Sequence, residues 1–170
     1  MKKRNIYLYA LLAITLVLAF GSCKKDPKVG GTSTQSLAGE WWVKLDNGKD
    51  ATGDFGPGYY NFSTYNTASN TRDTIWVDDD NNAKSFWDIK GKVTCNVSNG
   101  TFSATNVANQ DYTSTFTITN GVVLPNAAHA PGSGDKTDSI YCKISFSDDA
   151  PGIVHTLSGY KRTGFAQDDH

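Results

Sequence analysis

From Leu37 to Phe165 the chain is a succession of short runs rich in Val, Ile, Thr, Tyr, Phe and Trp, broken by Gly, Asn and Asp clusters. Within the runs apolar and polar residues alternate. A period of two is the pattern of half-buried strands, and turn residues this frequent leave no stretch for an amphipathic helix. The runs predict nine strands, near Glu40 to Leu45, Tyr59 to Asn66, Thr71 to Asp78, Ser85 to Val97, Gly100 to Asn106, Tyr112 to Thr119, Gly121 to Leu124, Asp138 to Ser147 and Gly152 to Thr163. Asn99-Gly100 between two alternating runs is the sharpest hairpin signal, and Asn120-Gly121 reads as a further turn. The class is all-β. A β-barrel or a β-sandwich would bury one face of so many antiparallel strands.

The two ends of this region favour a single antiparallel barrel of about eight strands. Leu37-Ala38-Gly39-Glu40-Trp41 contains a Gly-x-Trp, and Lys161 and Arg162 lie in the last predicted strand. These features resemble the lipocalin-like (calycin) barrels, where Gly-x-Trp opens the first strand and a basic residue from the last strand packs across that Trp. The resemblance gives Trp41 a structural role and makes Arg162 the expected cover, since a guanidinium stacks well on indole.

The first 22 residues read as an export signal. Lys2, Lys3 and Arg4 precede an apolar run from Ile6 to Phe20, and Gly21, Ser22 and Cys23 follow it. The run is shorter than the roughly 18 apolar residues of a membrane-spanning helix. Phe20-Gly21-Ser22-Cys23 resembles the bacterial lipobox, with Phe20 in place of the usual Leu. The resemblance implies diacylglyceryl transfer to Cys23, cleavage before it, and a lipid-anchored protein of the cell envelope. Lys24 in the next position favours the outer membrane. Residues 23–36 are then a polar lipidated tether, 37–165 the barrel domain and 166–170 a loose tail.

Removal of the signal leaves 13 basic against 17 acidic residues and no basic block, which argues against nucleic-acid partners. Cys95 and Cys142 both fall on the apolar side of their runs, and the exported compartment permits a disulfide between them. The acidic run Asp78-Asp79-Asp80-Asn81-Asn82 begins like a calcium loop, but Ala83 and Ile89 replace its Gly and closing Glu. A solvated turn is expected there, with no metal site and no cofactor. Of the three histidines, His170 is terminal and His129 lies in an expected loop over 126–134. His155 alternates with Ile153 and Leu157, as a hydrogen-bonded core residue would. No Gly-x-Ser-x-Gly nucleophile motif is present, and no catalytic residue is assigned.

Ten aromatics fall between residues 41 and 87, among them Tyr60, Phe62, Trp76 and Trp87. On an inner face they would line a site for a small apolar ligand or fill the core. Tyr60, Phe62 and Trp87, with Arg162 for a carboxylate, are the ligand-binding candidates. Trp41, Trp87 and Ile89 should face inward. Trp42 and Trp76 have no clear place.

Five segments carry a further resemblance: Leu37 to Val43, Tyr65 to Ala68, Phe86 to Val93, Asp138 to Tyr141 and Ser158 to Phe165. In order and spacing they look like the bacterial lipoprotein family catalogued as lipid-binding putative hydrolases. The resemblance implies a membrane-tethered barrel that binds a lipid or other small apolar molecule. It also admits a lipid or ester hydrolase. A packed barrel acting as a carbohydrate- or protein-binding accessory is the third reading.

Overall fold

The computed structural model describes residues 30–46 and 55–170. The export segment, Cys23 and the start of the tether lie outside the described residues. Eight antiparallel strands, β1 (Gly39–Leu45), β2 (Tyr60–Asn66), β3 (Thr74–Asp78), β4 (Lys90–Asn96), β5 (Thr101–Ala108), β6 (Thr115–His129), β7 (Lys136–Phe146) and β8 (His155–Lys161), follow one another round a barrel. β1 pairs with both β2 and β8, so the sheet closes and leaves no edge. This is the barrel of the two alternatives.

Eight strands stand where the sequence predicts nine, because the runs on either side of Asn120-Gly121 are one strand. Asn120 takes φ +54, and the pairing of β6 with β7 shifts register between Thr119 and Val122. A left-handed Asn suits a bulge as well as a turn, and here it makes a bulge. A second shift between Leu124 and Ala128, with Asn126 at φ +55, carries β6 on to His129. Residues 126–129, expected in a loop, are therefore largely strand. The predicted hairpin does form: Asn96 pairs with Thr101 across a four-residue connection. Gly100 takes φ +71 there, and a Cβ on it would lie 2.7 Å from the Val123 carbonyl oxygen.

Alternation fills the interior from every strand. Trp41, Val43 and Leu45 of β1, Phe62 of β2, Ile75 and Val77 of β3 and Val93 of β4 are buried in one cluster. Phe102, Phe116, Ile118, Ile140, Cys142, Ile144 and Leu157 belong to the same cluster. An eight-stranded barrel is just wide enough for its own side chains. Gly91 of β4 occupies an inward position against the Phe116 ring, where an added Cβ would come within 2.7 Å of the ring. Gly91→Ala should therefore cost roughly 1–3 kcal/mol by overpacking, read as a lower urea midpoint with an unchanged slope.

Several expectations need correction. Cys95 and Cys142 are both buried as expected but are free thiols. They stand on β4 and β7, with β5 and β6 between them in the sheet. The Cys95 thiol faces the Arg72 carbonyl at 3.6 Å, and burial pushes the Cys142 thiol up to about 12. Lys161, not Arg162, covers Trp41. Lys161 is the register partner of Trp41 and shares its face; its Nζ lies 5.8 Å from the Trp41 ring and donates to the Ala38 carbonyl at 2.9 Å. Arg162, one residue on, faces outward over Trp42 at 5.1 Å and pairs with Glu40 and Asp169. A one-residue step changes the face, so Arg162 has no access to the interior.

That outward position also explains Trp42. It forms a second apolar cluster on the outer wall with Tyr160 and Ala130, flanked by Tyr59. The C-terminal residues, expected to be loose, cover it. Ala166–Asp168 form a 3-10 turn, and buried Asp168 accepts from the Gly132 and Ser133 amides. Asp169 accepts from Trp42 Nε1, and the His170 ring stacks on Tyr59 at 3.9 Å. Likewise Thr34 is buried within the span expected as tether, beside a 3-10 turn at Gln35–Leu37. Trp76 lies on the outer wall against Tyr65, with Lys92 Nζ 5.1 Å from its ring.

Candidate functional site

The antiparallel order gives the barrel two unlike ends. At the base, Trp41 Nε1 donates to Thr64 Oγ1 at 2.9 Å, and that hydroxyl donates to the Leu37 carbonyl at 2.5 Å. Backbone and hydrogen bonds close this end. The opposite end, the mouth, receives the β1–β2, β3–β4, β5–β6 and β7–β8 connections. Among the described residues it is closed by rings.

Phe55 and Tyr60 from the β1–β2 side meet Phe86 and Trp87 from the β3–β4 connection, with centroids 5.7 to 6.5 Å apart. Trp87 stacks flat on Phe146 of β7 at 4.3 Å. Phe86 reaches down to Phe62 at 6.1 Å. Half-buried Tyr60 and Trp87 thus belong to the plug, while Phe62 lies fully buried beneath it. These three of the four ligand candidates come together, and Arg162 does not.

Beneath the plug is a charged clamp. His155 is 1 % exposed. Its Nδ1 lies 2.7 Å from Asp46 Oδ2 and its Nε2 lies 3.0 Å from Asp149 Oδ2. Burial alone would discharge the ring, but the hydrogen bonds to Asp46 and Asp149 outweigh it and raise its pKa. The protonated ring then donates to both carboxylates, joining the end of β1 to the β7–β8 connection. Phe55 packs edge-on against this ring at 4.7 Å, so the clamp also seats the plug.

Residues 80–82 of the acidic run form the exposed turn expected, but Asp78 and Asp79 ahead of them are buried. Asp78 is buried on the outer side, taking Lys90 Nζ at 2.6 Å and the Tyr65 hydroxyl at 2.7 Å. These partners overcome burial and hold its carboxyl low. Asp79 is 0 % exposed and accepts the Phe86 and Trp87 amides through Oδ2, each at 2.9 Å. It fixes the two plug residues by their backbone. Its Oδ1 has no hydrogen-bond partner, and burial pushes its pKa up to about 6 although the Trp87, Phe86 and Asn81 amides all favour the ionised carboxylate. At the rim Asp148 accepts from Trp87 Nε1 at 3.2 Å and from the Tyr112 hydroxyl at 2.6 Å.

Asp46 and Asp149 escaped the sequence reading because Asp residues in turns look solvated, and Asp79 reads there only as part of the acidic turn. One signal was present for Asp79: it extends the inward row of Ile75 and Val77. Among the described residues no group of three or more His, Cys, Asp or Glu is arranged to hold a metal ion.

The family model for lipid-binding putative hydrolases matches residues 26–166. The chain belongs to this family. Comparison with curated proteins gave no match. For this lipid-binding putative hydrolase family member, the closed barrel and its apolar interior fit the lipid-binding half of the description. For the other half, His155 has both ring nitrogens engaged by carboxylates and neither faces a hydroxyl. His129 Nδ1 faces the Gly134 carbonyl oxygen at the base, and His170 is on the outer wall.

Proposed function

We propose that this protein is a lipid-anchored envelope protein, tethered through Cys23, whose barrel takes up the apolar part of a small amphiphile through the mouth. The observation that carries this reading is the unlike closure of the two ends. The base is tied by hydrogen bonds, whereas the mouth is shut by rings from separate connections resting on an apolar interior. Hydrogen bonds fix the Trp87 indole, the Tyr60 hydroxyl and the plug backbone, but the Phe55 and Phe86 rings are held by packing and can turn aside without unpairing a strand. An acyl chain entering there would replace ring-to-core contacts with chain-to-core contacts of the same kind. The signal, the lipobox and Lys24 support an anchor directed to the outer membrane. Two or more acyl chains on Cys23 would hold it firmly.

The packed interior favours a second reading, an accessory protein acting through its outer wall. Tyr65 and Trp76 stand side by side there, 6.4 Å apart and 25° from parallel, as a platform for a sugar or a partner protein.

Native mass spectrometry of the full-length protein, extracted in mild detergent, separates the two. A co-purified amphiphile lost on delipidation, with uptake quickened by Phe55→Ala, is expected for the barrel reading. An apo mass with no uptake of any alkyl probe would leave the outer wall. Cys23→Ser should move the protein from the membrane fraction to the soluble one, and an unchanged membrane fraction would sink the anchor.

A further inference from the structure

Resting on the barrel reading above, we infer that the ligand is an amphiphile with a protonated amino head, and that Asp79 Oδ1 is the acceptor that takes it.

Two independent observations converge on this. The first is the unmet oxygen. Asp78 faces outward to Tyr65 and Lys90, and the ladder continues one residue past β3 through Asp79 N to the Ile89 carbonyl at 3.1 Å. Asp79 is therefore the next inward position after Ile75 and Val77. Its Oδ2 is spent on the plug amides, while Oδ1 stays buried at the mouth without a donor. A buried carboxylate oxygen without a partner is costly and rare in folded proteins. A donor from a ligand would satisfy it.

The second observation is the charge around it. The described parts of the mouth connections carry Asp46, Asp88, Asp111, Asp148 and Asp149 besides Asp79 and the outward-bonded Asp80. Against them stand Lys84 and the clamped His155; Lys90 is tied to Asp78 outside. Trp87, Asp88, Tyr112 and Asp148 line an open depression of about 260 Å³ beside the plug. Aromatic faces edged by carboxylates attract an organic cation and repel a fatty-acid carboxylate. A neutral hydroxyl could meet Oδ1 but would gain nothing from the rim.

The test is calorimetric titration of the full-length, delipidated protein at pH 7.5 and low salt with dodecylamine, dodecanol and dodecanoate below their aggregation limits. Dodecylamine should bind tighter than either other probe by on the order of tenfold or more, the scale of one hydrogen bond to a charged group. Asp79→Asn should abolish that advantage, so that the amine binds the variant no tighter than dodecanol does. Asp88→Asn, at the exposed rim, should weaken the amine by about two- to threefold, and salt should erase that difference. Dodecanoate or dodecanol binding as tightly as the amine, or an amine preference intact in Asp79→Asn, would overturn this inference and leave the barrel reading standing. Failure of all three probes would sink both.

Discussion

His155→Ala should lose roughly 3–5 kcal/mol of folding stability, the cost of removing one partner from a buried ion pair. The imidazole is the shared cation of Asp46 and Asp149, and Asp149 is itself nearly buried. Deleting the ring strands two carboxylates at the mouth and leaves a void beneath Phe55. Urea denaturation followed by tryptophan fluorescence reads the loss, and Trp87 should report a wetter environment in the folded variant. A triple variant with Asp46→Asn, His155→Phe and Asp149→Asn should recover much of it, since a buried ion pair can often be exchanged for apolar packing. Full stability in His155→Ala would mean that the clamp contributes nothing.

The pH dependence gives an independent readout. Folding raises the imidazole pKa above its ordinary value of 6.5. The folded chain therefore holds the proton more tightly than the unfolded one. Stability from the clamp is complete below pH 6.5 and is lost as pH rises through the folded value. The wild-type midpoint should fall over that window, and the His155→Ala midpoint should not follow it.

The all-β class was legible in alternation and turn residues, which left barrel and sandwich open, and only the likeness of Gly-x-Trp and the closing basic residue to the calycin barrels pointed to closure. The strand count failed at Asn120, where a left-handed residue serves a bulge as readily as a turn. The assignment of the Trp41 cover failed by a single residue, between Lys161 and Arg162. A basic pair in one strand always offers one residue to each face, and only the register tells which. The disulfide failed for a related reason. Both cysteines point inward as read, but alternation fixes a face and says nothing about which strands are neighbours.

The site was half legible. Tyr60, Phe62 and Trp87 stand out because aromatics in an alternating run must be buried somewhere. Asp79 and the clamp carboxylates do not, since their burial depends on how four separate connections converge. Phe55 joins the plug from the same kind of connection, and nothing in its neighbours announces it. The chemistry of the mouth is thus a property of the closure, whereas the core is a property of each strand alone.

Asp79→Asn should make the protein more stable at neutral pH, by about 1–2 kcal/mol. Asp79 has a pKa of about 6 in the fold against 3.8 unperturbed, so the folded state prefers the neutral carboxyl. That difference corresponds to a penalty on the order of 3 kcal/mol once the group is ionised. The penalty is absent below about pH 3.8 and grows as pH rises through about 6, so wild-type stability should fall across that interval. Asparagine keeps an oxygen for the Phe86 and Trp87 amides and removes the charge. It leaves one amide N–H group unpaired, which returns about 1–2 kcal/mol of the gain. Urea midpoints at pH 4 and pH 7 decide the matter. The variant should fall below the wild type at pH 4 by about the cost of that N–H group and exceed it at pH 7, in a window below that of His155. A residue whose neutralisation stabilises the empty protein is one the fold does not need for itself. If the same substitution also erases the amine preference, the strain at Asp79 is held for the ligand. If it destabilises at pH 7 as much as at pH 4, Asp79 serves only to anchor the plug.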